Sequence, residues 1–211
     1  IFDMDGVLVD TIPLHYRSWQ TMMTELGVPF SREINETLRG LSRRSSLKKI
    51  LGERYEELSE ERVREIMRRK NEMFLEEAER IGPDDAMAGT RPLLRALKAV
   101  GYRLAVASSS RNARPIVARL GIRDMFDAFV DGNDLSAGKP DPEVFMMAAQ
   151  RLGIVPAECV VIEDAEAGVE AAHRAGMACI GVGRDLPEAE LVVESLAELD
   201  AQRIAEVGRG R

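Results

Sequence analysis

From residue 88 onward, two hydrophobic rhythms alternate along the chain. Stretches 90–100, 112–120, 142–152 and 165–175 carry apolar residues at helical spacing, and the short apolar runs 104–107, 128–130, 160–162 and 180–182 lie between them. Buried runs of roughly 4–6 residues separated by helices of about ten predict βαβ units and a parallel sheet covered on both faces. Gly101, Gly121, Gly153 and Gly176 each follow a predicted helix, where a left-handed residue ends the last turn. The fold class that follows is α/β with a doubly wound parallel sheet.

Residues 13–83 break the rhythm. They predict helices over 14–26, 43–51 and 60–81 and no strand, which reads as a helical cap inserted after strand one. Pro13 stands where a first helical turn tolerates proline, and Gly82-Pro83 closes the insert, so the chain is expected to cross between the two units near 11–14 and 82–88. The expected division is a core of 1–12 with 84–211 and a cap of 13–83. Beyond residue 186 the chain is acidic and amphipathic as far as Val207, and 208–211 is expected to fray. A strand is expected at 1–5; because the chain reaches Asp3 so soon after Ile1, several residues are expected to precede it.

The 211 residues are 45% hydrophobic and 31% charged, which is globular usage. A net charge of −7 excludes the basic footprint of a nucleic-acid binder, so any anionic substrate must be held by local groups. No apolar run reaches the ~18 residues of a bilayer span and no signal peptide is visible, giving the expectation of a cytoplasmic protein without a membrane partner. Cys159 and Cys179 lie in apolar runs without clustered ligands and predict buried thiols in a reducing compartment.

Four motifs fall at predicted strand ends. In Phe2-Asp3-Met4-Asp5-Gly6, a strand through 3–5 would turn both carboxylates to one side, at the carboxyl edge where open α/β sheets bind ligands. Two anions there invite a hard divalent ion such as Mg²⁺; the alternative is a capped strand end with two solvated aspartates. Ser108-Ser109-Ser110-Arg111-Asn112 runs from a strand into a helix and offers either an anion cradle or simple caps. Lys139 enters a Pro-rich turn in a chain with 24 Arg and 5 Lys, and is either a phosphate ligand or a surface lysine. Glu163-Asp164 either completes an acid cluster or favours the start of a helix.

The order acid pair, hydroxyl, lysine, acid pair resembles the haloacid dehalogenase superfamily of phosphotransferases over essentially the whole chain. The resemblance implies Mg²⁺ and an aspartyl-phosphate mechanism, with Asp3 as nucleophile and Asp5 as general acid/base. It also implies that Ser108 and Lys139 hold the transferring phosphoryl group, and that Glu163 and Asp164 join Asp3 and Asp5 at the metal.

The insert carries further chemistry. His15 and Trp19 share a helix face with Met22 and Leu26; Gly40-Leu41-Ser42-Arg43 is a polar turn before a helix; and Lys70 falls on the apolar stripe of Val63, Ile66, Phe74, Ala78 and Ile81, where it either points at something or snorkels to the surface. Together with Ser108 to Asn112, these features resemble the β-phosphoglucomutase branch of the superfamily. Arg39 and Ser109 depart from that pattern, standing where Lys and Ala are expected. The resemblance implies that Arg43 grips the non-transferring phosphate, that His15, Trp19 and Lys70 shape the sugar site, and that Ser110 and Asn112 touch the substrate from the core side. The expected reaction interconverts β-glucose 1-phosphate and glucose 6-phosphate through the 1,6-bisphosphate, on a monomer with a small sugar phosphate as its partner. A sugar-phosphate phosphatase with the same nucleophile is the second reading. A phospho-accepting signalling domain is the third, opposed by the long insert and the aspartates at i and i+2. Gly181-Val182-Gly183 lacks the third glycine of a dinucleotide fingerprint.

Overall fold

The computed structural model describes residues 1–210. The helical elements α1 (Ile12–Glu25), α2 (Arg32–Glu36), α3 (Arg43–Leu51) and α4 (Glu60–Ala78) come first. There follow α5 (Thr90–Ala99), β1 (Ala105–Ala107), α6 (Ala113–Arg119), β2 (Ala128–Val130), α7 (Glu143–Leu152), β3 (Val160–Glu163), α8 (Glu166–Arg174), β4 (Ala178–Val182), β5 (Leu191–Val193) and α9 (Ala201–Arg209). All the strand pairings are parallel: β1 with β2, β3 with β4, and β4 with β5.

The chain start joins these two groups of strands. Phe2 bridges Val106 on one side and Ile162 on the other, both in parallel sense. Phe2 N–H donates to Ala105 O at 2.8 Å and Asp3 N–H to Ile162 O at 3.0 Å. The order across the sheet is therefore β2, β1, residues 1–3, β3, β4, β5. Side chains alternate between two core clusters, as a sheet buried on both faces requires. Val106, Ile162, Ile180 and Val182 pack on the α5, α6 and α9 side, while Ala105, Ala107, Val161 and Cys179 pack on the α7 and α8 side.

The expected first strand is shorter than 1–5. It ends at Asp3, because Gly6 takes φ +79° and the N–H groups of Leu8 and Val9 fold back onto Met4 O at 2.9 and 3.2 Å. A left-handed residue turns the chain out of the sheet, a conformation glycine reaches without a Cβ clash. Asp5 thus stands on a turn and reaches the sheet edge by that route, in place of the expected strand periodicity.

The helical segment contains four α-helices where three were expected. The short α2 is capped by Ser31, whose Oγ accepts from Ile34 N at 3.3 Å. Ser42 and Ser59 cap α3 and α4 in the same way. Trp19, Met22, Leu47, Val63 and Ile66 form a separate apolar cluster here, but Phe74 and Ala78 near the end of α4 join the main core. Helix α4 stops at Ala78, short of the expected 81.

The C-terminal region differs most. Its expected single amphipathic stretch contains the edge strand β5 before α9, and α9 runs on through Gly208 to Arg209, so those two residues do not fray. Arg211, part of the expected tail, lies outside the described residues. Both cysteines are buried. Among the described residues no helix is long and apolar enough to cross a membrane.

Candidate active site

A cavity of about 780 Å³ opens between the carboxyl edge of the sheet and the helical segment. Asp3, Asp5 and Asp164 line it from the sheet side, as do Ser110 and Asn112; His15, Trp19, Arg43 and Lys70 line it from the helical side. Ser108, Lys139 and Glu163 lie behind that lining and are wholly or almost wholly buried.

Lys139 ties the acids together. Its Nζ donates to Asp3 Oδ1 at 2.6 Å and to Glu163 Oε1. Burial alone would release its proton, but Asp3 and Glu163 outweigh burial and hold it charged. Glu163 spends its other oxygen on the N–H groups of Asp164 and Ala165, at 2.7 and 2.9 Å, so it is anchored to the start of α8. Oxygens of Asp3, Glu163 and Asp164 lie within 4.8 Å of one another. Burial pushes the Asp3 carboxyl well above its usual 3.8, against the pull of Lys139. Burial and the neighbouring Glu163 push Asp164 up to about 7, against the pull of Arg39.

That cluster is a set of buried hard oxygen donors with more negative charge than one ammonium balances. Its chemistry fits Mg²⁺, which prefers carboxylate oxygens, and does not fit metals that select sulfur or imidazole. The side chain of Asp5 falls outside the cluster, although it was expected at the metal. Its Oδ1 accepts from the Thr11 hydroxyl and lies 3.8 Å from His15 Nε2. Burial raises the Asp5 carboxyl, but the contacts from His15 and Thr11 and the charge of Lys139 overcome it and hold Asp5 below its usual range.

A chain of polar groups leads from Asp5 into the helical segment. Lys70 Nζ lies 2.7 Å from His15 Nδ1, and the His15 ring stacks on Phe74 with centroids 4.4 Å apart. If Lys70 donates to Nδ1, the imidazole carries its proton on Nε2, facing Asp5. Lys70 is 1% exposed, with its ammonium 5.2 Å from the Trp19 ring and 4.9 Å from that of Phe74. Burial and the charge of Arg43 push it well below its ordinary value. The lysine on the apolar stripe therefore points inward and does not snorkel.

The hydroxyl motif forms the floor on the far side. Ser108 Oγ accepts from Ser110 N at 3.0 Å, and Ser110 Oγ accepts from Asn112 N at 3.2 Å, so the turn caps itself while presenting Ser110 and Asn112 to the cavity. Arg43 Nη2 donates to Asn71 Oδ1 at 2.6 Å, and Asn112 Nδ2 donates to the same oxygen at 2.8 Å. Burial and the facing Arg111 lower the Arg43 guanidinium to about 10. Two guanidinium groups converging on one wall make a receptor for a second anion.

Asn71, Arg111 and Thr11 lie beyond the set expected from the sequence. Arg111 stood inside the hydroxyl motif and Asn71 beside Lys70, so adjacency was the available signal. Nothing local marked Thr11, whose role depends on where the turn after Asp5 leads.

The sequence pattern of the haloacid dehalogenase-like hydrolase family matches residues 1–176. The chain is 41% identical over 210 residues to a β-phosphoglucomutase of Bacillus subtilis, covering 98% of this chain and 93% of that protein. It is 34% identical over 203 residues to a phosphorylated carbohydrates phosphatase of Thermotoga maritima, covering 92% and 89% of the two chains. Among solved structures, a β-phosphoglucomutase from Clostridium difficile superposes with a TM-score of 0.94 at 35% identity, covering 99% of this chain and 96% of that one.

Proposed function

The chain belongs to the haloacid dehalogenase-like hydrolase family and is an enzyme of that family, and from this premise we propose that it is a sugar phosphomutase that works through a phosphorylated Asp3. Residues 13–83 act as its cap over a core of 1–12 and 84–211. Asp3, Glu163 and Asp164 would hold Mg²⁺, which when bound supplies positive charge to offset that of the phosphoryl group.

The chemistry starts from phospho-Asp3. Asp5, held as a carboxylate by Thr11 and His15, takes the proton from the 6-hydroxyl of β-glucose 1-phosphate as that oxygen attacks phosphorus and the bond to Asp3 breaks. The products of this step are the 1,6-bisphosphate, a free Asp3 carboxylate and a protonated Asp5. After the bisphosphate turns over, Asp3 attacks the phosphorus at C1 and the bond to the sugar oxygen breaks. Asp5 returns its proton to that oxygen, giving glucose 6-phosphate and phospho-Asp3. One carboxylate thus serves as base and then as acid. Lys139 and Ser108 steady the phosphoryl group near Asp3, Arg43 with Arg111 and Asn112 takes the other phosphate, and His15, Trp19, Lys70 and Ser110 surround the sugar.

The observation that carries this reading over a phosphatase is the second cationic wall, Arg43 facing Arg111 across the cavity from Asp3. Hydrolysis of a monophosphate needs one phosphate site, whereas a bisphosphate intermediate needs two. The test is ³¹P NMR of the protein with Mg²⁺, β-glucose 1-phosphate and a trace of bisphosphate. Glucose 6-phosphate should accumulate far faster than inorganic phosphate; inorganic phosphate as the main product would replace this reading with the phosphatase.

A further inference from the structure

Residues 36–42, the link between α2 and α3, touch three loops at the sheet edge in succession. Arg39 Nη1 donates to Asp164 Oδ2 at 2.8 Å, while its Nε and Nη2 hold the two oxygens of Glu36 at 2.7 and 3.2 Å. Gly40 O accepts from Ser109 Oγ at 3.0 Å, and its Cα side packs so close to the start of α8 that an added Cβ would lie 3.1 Å from Ala165 Cβ. Ser42 packs against Gly138, the residue before Lys139. Arg184, in the turn after β4, approaches Glu36 at 3.6 Å.

These are the loops that carry Asp164, Ser108 with Ser110, and Lys139. The segment is therefore fastened to every sheet-edge motif except the one at the chain start, and it is fastened by side chains that need no ligand. Arg39 is 22% exposed and Asp164 6% at their side chains, so the pair is shielded from the screening that makes most surface ion pairs worth little. The guanidinium serves two carboxylates at once, each in charge-assisted geometry. Arg39 and Ser109 are also the two positions at which the sequence departs from the pattern it resembles.

We propose that Arg39 and Ser109 form a latch that holds residues 36–42 down on the sheet edge without substrate, and so keeps the bisphosphate in the site between the two transfer steps. They are positioning residues: Arg39 acts through Asp164 and Glu36, and Ser109 through Gly40. A charge-assisted bond outweighs a neutral hydroxyl–carbonyl bond, so Arg39 carries the larger share. The retention of bisphosphate rests on the mutase reading above; the closing of the segment does not.

The experiment compares wild type with Arg39→Gln, Arg39→Lys, Ser109→Ala and the double variant Arg39→Gln/Ser109→Ala, using the full chain with Mg²⁺. Hydrogen exchange is read at the amides of residues 38–42 without sugar phosphate, and bisphosphate released to solution per turnover is read by ³¹P NMR. Arg39→Gln should speed exchange by about tenfold and Ser109→Ala by about threefold, with the double variant fastest. Arg39→Lys, which keeps a charge for Asp164 but loses the fork on Glu36, should fall between wild type and Arg39→Gln. Released bisphosphate should rise in the same order. Exchange in the double variant within twofold of wild type would overturn the latch, and faster exchange with unchanged release would overturn retention. Should wild type make inorganic phosphate alone, the mutase reading falls while the exchange data still judge the latch.

Discussion

Two buried lysines face the same cavity region and do opposite things to stability. Lys139 meets two carboxylates, so its proton is held more tightly in the fold than in the unfolded chain. Lys70 meets an imidazole, two aromatic faces and the charge of Arg43, so its proton is held less tightly. Lys139→Met should cost about 3–5 kcal/mol, the usual penalty for leaving buried carboxylates without their partner. Lys70→Met should instead raise stability by about 1–2 kcal/mol at pH 7 while lowering turnover, because it removes a buried charge that serves the substrate. The pH dependence separates them. The penalty on Lys70 comes from an unfolded state that binds the extra proton, so it is full below the folded value and vanishes as pH rises to the ordinary 10.5. The contribution of Lys139 is present below 10.5 and is lost only above it, as pH rises through its elevated folded value. Urea unfolding from pH 7 to 10 should therefore show the gap between Lys70→Met and wild type narrowing, and that between Lys139→Met and wild type staying constant.

At the scale of elements, the acids are placed by where strands stop. Gly6 turns the chain out of the sheet after Asp3, and an added Cβ there would strike the Asp164 carboxyl. Gly168, in the first turn of α8, lies against the carboxyl of Glu163, and a Cβ at that position would overlap it. Helix α8 can thus press on β3 only while residue 168 has no side chain. Gly168→Ala should destabilise the fold by about 1–3 kcal/mol through overpacking. It should also cut turnover at least tenfold, or about 1.4 kcal/mol of barrier, because Glu163 must give way and Lys139 loses a partner. Thermal unfolding and steady-state kinetics on the same sample check both; an alanine accepted with wild-type turnover would mean that the contact is not needed to place Lys139.

The whole molecule assembles the second phosphate wall from parts far apart in sequence. Arg43 opens α3, Asn71 lies on α4, and Arg111 and Asn112 precede α6, yet Arg43 and Asn112 share one Asn71 oxygen. Arg43→Ala should raise KM for the bisphosphate by about 10- to 100-fold, the loss of one charged contact, and leave hydrolysis of a small aryl phosphate within about twofold, since that substrate has no second phosphate to bind. Equal effects on both substrates would make Arg43 structural.

The sequence by itself determined the α/β class, the helical insert and the four strand-end motifs. It could do so because burial on both faces of a parallel sheet writes continuous apolar runs, and because strand ends are where polar residues must follow them. Lys70 was legible for a related reason, as a charge set in an otherwise apolar helical stripe. Only the tertiary structure decided how these residues meet. The turn at Gly6 put Asp5 beside Thr11 and His15, off the line of the first strand. Edge strand β5 spans three residues, one of them exposed, so it left no apolar run to read. The pairings of Arg39 with Asp164 and of Ser109 with Gly40 join positions 125 and 69 residues apart. Local periodicity records which face of an element is buried, but not which distant side chain lies across from it. That is settled when the helical segment closes on the sheet edge and each buried charge must find a partner or bear the cost of desolvation.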